Sequence, residues 1–217
     1  LNSGSYAGSI VDNATFIYSS SATQTLSGVI SGTGALTKDT DTSSVLTLTA
    51  TNTYTGVTTI NAGTISVGTI GNGGVAGNLG QATNASTNIV LGGGTLKYTG
   101  STATSDRAFT ITAGTTGTID VPTGVTLTLA GATGTTTTGA LTKTNSGTLN
   151  LSGVNTYTGT TTISAGTLAI TGSGSLNSGS YAGSIVDNAT FIYSSSATQT
   201  LSGVISGTGA LTKDTDT

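Results

Sequence analysis

The chain has 217 residues, of which only 6% are charged against about a quarter in ordinary soluble domains, and its net charge is −3. Four Lys and one Arg cannot build a basic patch that neutralises phosphates, so nucleic acid is excluded as a partner. The absence of His, Cys and Glu removes imidazole metal centres, thiolate nucleophiles, disulfides and Ser–His–Asp catalysis.

What remains is a Thr-, Val-, Ile- and Leu-rich chain with 34 Gly, many Ser and Asn, and one proline, Pro122. Disorder needs low hydrophobicity with high net charge, and collagen needs a strict three-residue glycine period; neither pattern is present. β-Branched residues interleaved with turn formers read as all-β structure. No apolar run approaches the 18 residues of a spanning helix.

Taken in order, the segment 16–34 (FIYSSSATQTLSGVISGTG) opens a series of short apolar dyads separated by Gly, Ser or Asn. Residues 34–38 read GALTK and are followed by the loop DTDTSS. In 45–68 (VLTLTATNTYTGVTTINAGTISVG) Leu46 and Leu48 alternate with Thr47 and Thr49, the period-two pattern of a half-buried strand, and Ile65 and Val67 repeat it. Gly71–Gly74 and Gly92–Gly94 lack the Lys-Ser/Thr of a phosphate loop and read as turns. Further dyads follow at Phe109/Ile111 and Leu127/Leu129. GALTK recurs at 139–143, then residues 148–171 (TLNLSGVNTYTGTTTISAGTLAIT) repeat the earlier motif. Residues 176–217 are identical to residues 1–42 at every position, an offset of 175.

A tandem period with a nested shorter repeat is the mark of a solenoid. Each strand is too short to bury a core alone, so stability must come from stacking coil on coil. At roughly 22 residues per coil, 175 residues hold about eight coils and rise about 38 Å. The expected organisation is one full unit over 1–175 and the start of the next over 176–217, in a parent chain that continues on both sides.

The string GALTK, then L-x-L, then NTYTG, then TTI-x-AGT, resembles the autotransporter-associated β-strand repeat of type V secreted passengers. The resemblance implies a right-handed parallel β-helix on the Gram-negative outer surface. It also implies a structural or adhesive role with no catalytic, cofactor or metal site. The residues carrying it, Asn52, Tyr54, Gly56 and Gly63 with their counterparts Asn155, Tyr157, Gly159 and Gly166, are expected to shape turns. Partners expected are neighbouring repeats of the same chain, other copies of itself, and host or cell-surface glycans.

Several side chains have two readings. Tyr54 and Tyr157 are expected at the core edge with their hydroxyls in water. Tyr6, Tyr18, Tyr98, Tyr181 and Tyr193 are candidates for exposed rings that stack on sugars, but structural packing is the leading reading for them. Asp39 and Asp41, repeated as Asp214 and Asp216, are a fragment of a calcium site or, more simply, a solvated loop. Lys38 and Lys143 are expected outside because an unpaired buried ammonium is costly, and Asp106–Arg107 as a surface ion pair. The run Thr135–Thr138 and the outward threonines of the strands could form ice-binding hydroxyl rows, but their spacing along the sequence drifts. The scattered Asp12, Asp39, Asp41, Asp106 and Asp120 do not suggest a hydrolase cleft.

Overall fold

The computed structural model describes residues 1–134 and 136–214, so Thr135 of the threonine run and Asp216 of the repeated Asp pair lie outside the described residues. The chain is an all-β solenoid of about nine turns, with parallel strands stacked on three faces. Crossovers joining parallel strands of one sheet run right-handed.

Face 1 is one continuous sheet, ten-stranded among the described residues, running from Ser5–Tyr6 and Gln24–Leu26 through Val45–Leu48, Thr64–Val67, Thr95–Tyr98, Thr116–Asp120 and Ala140–Thr144 to Thr161–Ile163, Ile185–Asp187 and Ile205–Ser206. Face 2 begins with Ile10–Val11 and Ile30–Ser31 and ends in a six-stranded sheet from Ala103–Ser105 to Ala210–Lys213. Face 3 carries Thr15–Tyr18, Ala35–Lys38, Thr58–Ile60, Ile89–Leu91 and Thr110–Ile111, then the pairs Val154–Asn155 with Ser175–Leu176 and Ser180–Tyr181 with Thr200–Leu201.

Period-two alternation explains the core. On face 2 the inward column runs Leu127, Leu149, Leu168 and Phe191, each paired with the next and each fully buried. Burial of one such side chain contributes about 1.5–3 kcal/mol, and stacking lets one strand cover the next. The outward positions of the same strands form the Thr126–Thr148–Thr167–Thr190 row. Face 1 carries a second row, Thr64–Thr95–Thr118–Thr142–Thr162. The drift expected from sequence spacing is therefore corrected: turn lengths vary, and the strand register absorbs the variation.

Among the described residues face 2 carries no strand between Ile30–Ser31 and Ala103–Ser105, a gap of two turns. Between the strands Thr64–Val67 and Ile89–Leu91 the chain makes an excursion over 68–88, so that Thr64 pairs with Thr95, 31 positions on, where other neighbours on face 1 lie 19 to 24 apart. Ile70 and Leu79 of the excursion are buried and close the core on that side.

Candidate functional site

Asn52 is buried; its Oδ1 accepts from the Ile30 amide of the turn below (2.8 Å), and its Nδ2 donates to the Asn78 carbonyl of the excursion (2.8 Å). Asn78, which sequence reading passed over, completes the junction. Its Oδ1 accepts from the Gly68 and Thr69 amides, and its Nδ2 donates to the Ala50 carbonyl. Only its position in a Gly-rich stretch could have flagged it. Asn155 is also buried, and its Nδ2 donates to the carbonyls of Gly153 and Ser175.

Tyr54 and Tyr157 are inside, which corrects the expectation of hydroxyls in water. Their rings fill the core, and the hydroxyls bond Thr58 (2.7 Å) and Thr161 (3.0 Å), whose side chains also face inward. Burial pushes the Tyr54 hydroxyl up to about 12 and that of Tyr157 further still. Tyr181 packs edge-on against Tyr157, with ring centroids 5.9 Å apart, and shares the Thr161 hydroxyl. Tyr18, Tyr98, Tyr181 and Tyr193 are likewise buried, and Tyr6 is half-buried, which agrees with packing, the leading reading, and leaves no outer row of sugar-stacking rings. The reason is packing: an inward tyrosine fills the core while its hydroxyl reaches a polar partner within the wall.

Two glycine pairs set the turns. Gly63 and Gly166 have φ of +66° and +72°, a left-handed geometry that side chains resist. Gly56 and Gly159 lie against the backbone one turn below, where a Cβ would meet the carbonyl oxygens of Gly34 and Gly139.

The lysines after GALT overturn a second expectation. Lys38 and Lys143 are fully buried. Lys38 Nζ donates to the carbonyls of Asp39 (3.1 Å) and Thr40 (3.0 Å), and lies 5.8 Å from the centroid of the Tyr18 ring. Lys143 Nζ donates to those of Thr144 (2.6 Å), Asn145 (2.7 Å) and Ala165 (3.4 Å). Thr40, Asp41 and Asn145 take left-handed backbone, and the ammonium gathers the carbonyls of these turns. Desolvation lowers both lysines, Lys143 to about 8, against the opposing pull of Asp120 on Lys143 and of Asp41 and Asp39 on Lys38.

Arg107 is not in a surface pair with Asp106. Its guanidinium is buried beneath the excursion, and Nη2 donates to the carbonyls of Gly80 (2.8 Å) and Val75 (3.4 Å). Asp106 turns outward to accept from the Gly73 amide (2.7 Å). These neighbours in sequence thus anchor the excursion from two sides.

Among the described residues the carboxylates do not converge. Asp41 accepts from the hydroxyl and amide of Ser43 and the amide of Ser44, which hold it below its ordinary value, while Asp39 accepts from the Thr40 amide. Asp12 accepts from the amides of Ala14 and Phe16. Among the described residues no group of three or more acidic side chains could hold a metal ion.

The one concave feature to note lies at the foot of the excursion. It is an open groove of about 340 Å³, lined by Thr47, Leu48, Thr49, Thr51, Gly68, Thr69, Asn78 and Thr99. Five threonines and Asn78 line it beside Leu48 and Gly68, and no charged side chain does.

With this geometry in hand, comparison with known proteins gives a consistent answer. The passenger-associated-transport-repeat family model matches residues 43–67 and 141–170, the two motif copies. The chain carries autotransporter passenger repeats. The adhesin BmaC autotransporter of Brucella suis biovar 1 (strain 1330) is 48% identical over 120 residues, 54% of this chain. The chain spans 3% of the length of that relative. No solved structure matches. The repeats place this passenger segment outside the cell, on the Gram-negative outer surface. They are framework: each matched copy contributes strands on successive faces, while the excursion between the copies lies outside both matched stretches.

Proposed function

We propose that the chain is a span of an extracellular rod built from repeated 175-residue units, a structural and adhesive element with no catalytic role. The observation that supports this reading is the face 1 sheet, which runs unbroken through residues 1–175 and on into the copy that begins at 176. Neighbouring units are then each other's first partners, because the end strands of one are completed by the next. Length would scale with the number of units, and a single ligand site would need no such repetition. Electron microscopy of the purified protein tests this: chains of increasing unit number should be stiff and lengthen by about 37 Å per unit, at about 4.8 Å per turn. Compact particles of constant aspect ratio would overturn it.

A second reading, recognition of host or cell-surface glycans, is favoured by the uncharged Thr- and Asn-lined groove at the foot of the excursion. Neutral hydroxyls and amides suit sugar hydroxyls, and repetition supplies avidity. This recognition would be a property of the excursion and its groove, since the tyrosines are inside. Glycan arrays probed with the intact chain and with Thr49→Val/Thr51→Val test it; binding that is equal in both would remove the groove from the account. Self-association of copies through the outward threonine rows is a separate arm, read by sedimentation.

A further inference from the structure

Identical sequences occupy different faces of this solenoid. Ser5–Tyr6 lies on face 1, whereas its copy Ser180–Tyr181 lies on face 3. Ile10–Val11 is on face 2 and the equivalent strand, Ile185–Asp187, on face 1. Thr15–Tyr18 and Ala35–Lys38 are on face 3, while Thr190–Tyr193 and Ala210–Lys213 are on face 2. Every strand of the copy is set back by one face. The shift arises in two steps. From Ala35–Lys38 to its motif equivalent Ala140–Thr144 the chain advances from face 3 to face 1, and from there to Ala210–Lys213 it advances from face 1 to face 2. Counted along the stack, Ser5–Tyr6 is in the first turn and Ser180–Tyr181 in the eighth, one face short of completing it. The 175-residue period therefore winds through seven turns and two thirds, rather than a whole number.

We infer that successive identical units are rotated by a third of a revolution, so that a chain of them presents the 68–88 excursion on its three sides in turn. Three units complete a whole number of turns and restore the starting face after about 110 Å. A partner lying flat along one side meets one excursion in every three, and a partner arriving from any direction meets one within three units. The excursion fits this role chemically. It carries no charged residue, it exposes Val75, and Arg107 and Asp106 anchor it, so it projects as a fixed neutral element from the rod. A whole-number period would instead align every excursion on one edge, a comb suited to a single flat surface.

The display around a long chain rests on the rod reading above, but the rotation can be tested in the 217-residue chain alone. The sequence has no cysteine, so introduced pairs report without background. In the rotated arrangement Thr142 sits beside Thr118 on face 1. An unrotated arrangement would return the second GALTK strand to the column of the first, where Thr37, Thr59, Val90 and Thr110 stack, and would set Thr142 beside Thr110. Adjacent strands lie about 4.8 Å apart, within reach of a disulfide. Thr118→Cys/Thr142→Cys should cross-link in most molecules on mild oxidation, and Thr110→Cys/Thr142→Cys in almost none. Thr142→Cys/Thr162→Cys, neighbours in either arrangement, is the reference. With the reference linked, cross-linking through Thr110, or failure through Thr118, overturns the rotation and leaves the rod untouched. A reference that fails to link overturns the stack itself and the rotation with it. Globular particles in the microscope beside the expected cross-links would sink the rod while leaving the rotation standing.

Discussion

The two motif copies, 34–68 and 139–171, share their strands and turns yet work against different neighbours. Asn52 stitches the turn below it to the excursion above, through one accepted and one donated bond; Asn155 has no excursion beside it and donates to two carbonyls of regular turns. The same residue is a clamp in one copy and a turn support in the other. A repeat motif specifies where a side chain points, and the flanking sequence decides what it meets.

The largest effect should therefore fall on the first copy. Asn52→Ala leaves the buried Ile30 amide and Asn78 carbonyl without partners and should cost about 3–4 kcal/mol, since each stranded buried group costs about 1–3. Asn155→Ala removes a donor from two carbonyls, which tolerate partial satisfaction better, and should cost about 1–2 kcal/mol. Denaturant midpoints of the two variants check the ordering, and equal losses would break the distinction.

Next come the left-handed glycines, where the asymmetry reverses. Alanine at either position is strained by its positive φ, at about 1–3 kcal/mol. At Gly63 one of the three closest atoms is the movable Nζ of Lys38, whereas at Gly166 all three belong to the backbone of Asn145, Ser146 and Gly147. Gly166→Ala should thus be the more damaging by about 1 kcal/mol, an overpacking penalty that backbone cannot relieve. Thermal melting of the pair measures it.

A comparison within identical sequence isolates environment from residue type. Tyr181 is buried, stacks edge-on to Tyr157, shares a bond with Thr161 and donates to the Gly159 carbonyl; Tyr6 is half-buried in the first turn. Tyr181→Phe should cost about 1–2 kcal/mol and Tyr6→Phe less than about 0.5. If both cost the same, the burial of the second copy under its neighbours is not what holds that hydroxyl.

Much of this architecture was legible because periodicity depends only on backbone geometry. Leu46/Leu48 and Leu149/Leu151 alternate with polar neighbours, and alternation puts them inside whichever face they occupy. The face itself was not legible, since a turn of two residues more or fewer changes nothing in the local pattern. Tyr54, Tyr157, Lys38 and Lys143 lie deeper than the sequence suggests for a related reason. Sequence shows that Lys38 and Lys143 are cations, but the carbonyls that solvate them come from turns whose left-handed residues are Thr, Asp and Asn rather than Gly. Arg107 was unreadable because its partners, Val75 and Gly80, lie about thirty positions away in a segment without regular spacing.

The smallest effect is the dependence of stability on pH, and it separates the two lysines. Lys143, lowered from 10.5 to about 8, is the more strongly displaced; Lys38 is lowered as well, but Asp41 and Asp39 stand near its ammonium and favour the charged form. Between the two values for Lys143 the unfolded chain holds a proton that the folded chain has released. Stability should accordingly rise as pH climbs from about 8 toward 10.5, because stability increases with pH wherever the unfolded state binds more protons. Tyr54 and Tyr181 act in the opposite sense. Their hydroxyls are raised from 10 to about 12 by burial, so above pH 10 they ionise first in the unfolded chain and stability falls. Urea midpoints against pH should climb from about 8 and turn over near 10. Lys143→Met should flatten most of the climb and Lys38→Met a smaller part of it. Superimposable curves for the wild type and Lys143→Met would mean that the ammonium beneath the second motif's turn is as well solvated by its carbonyls as by water.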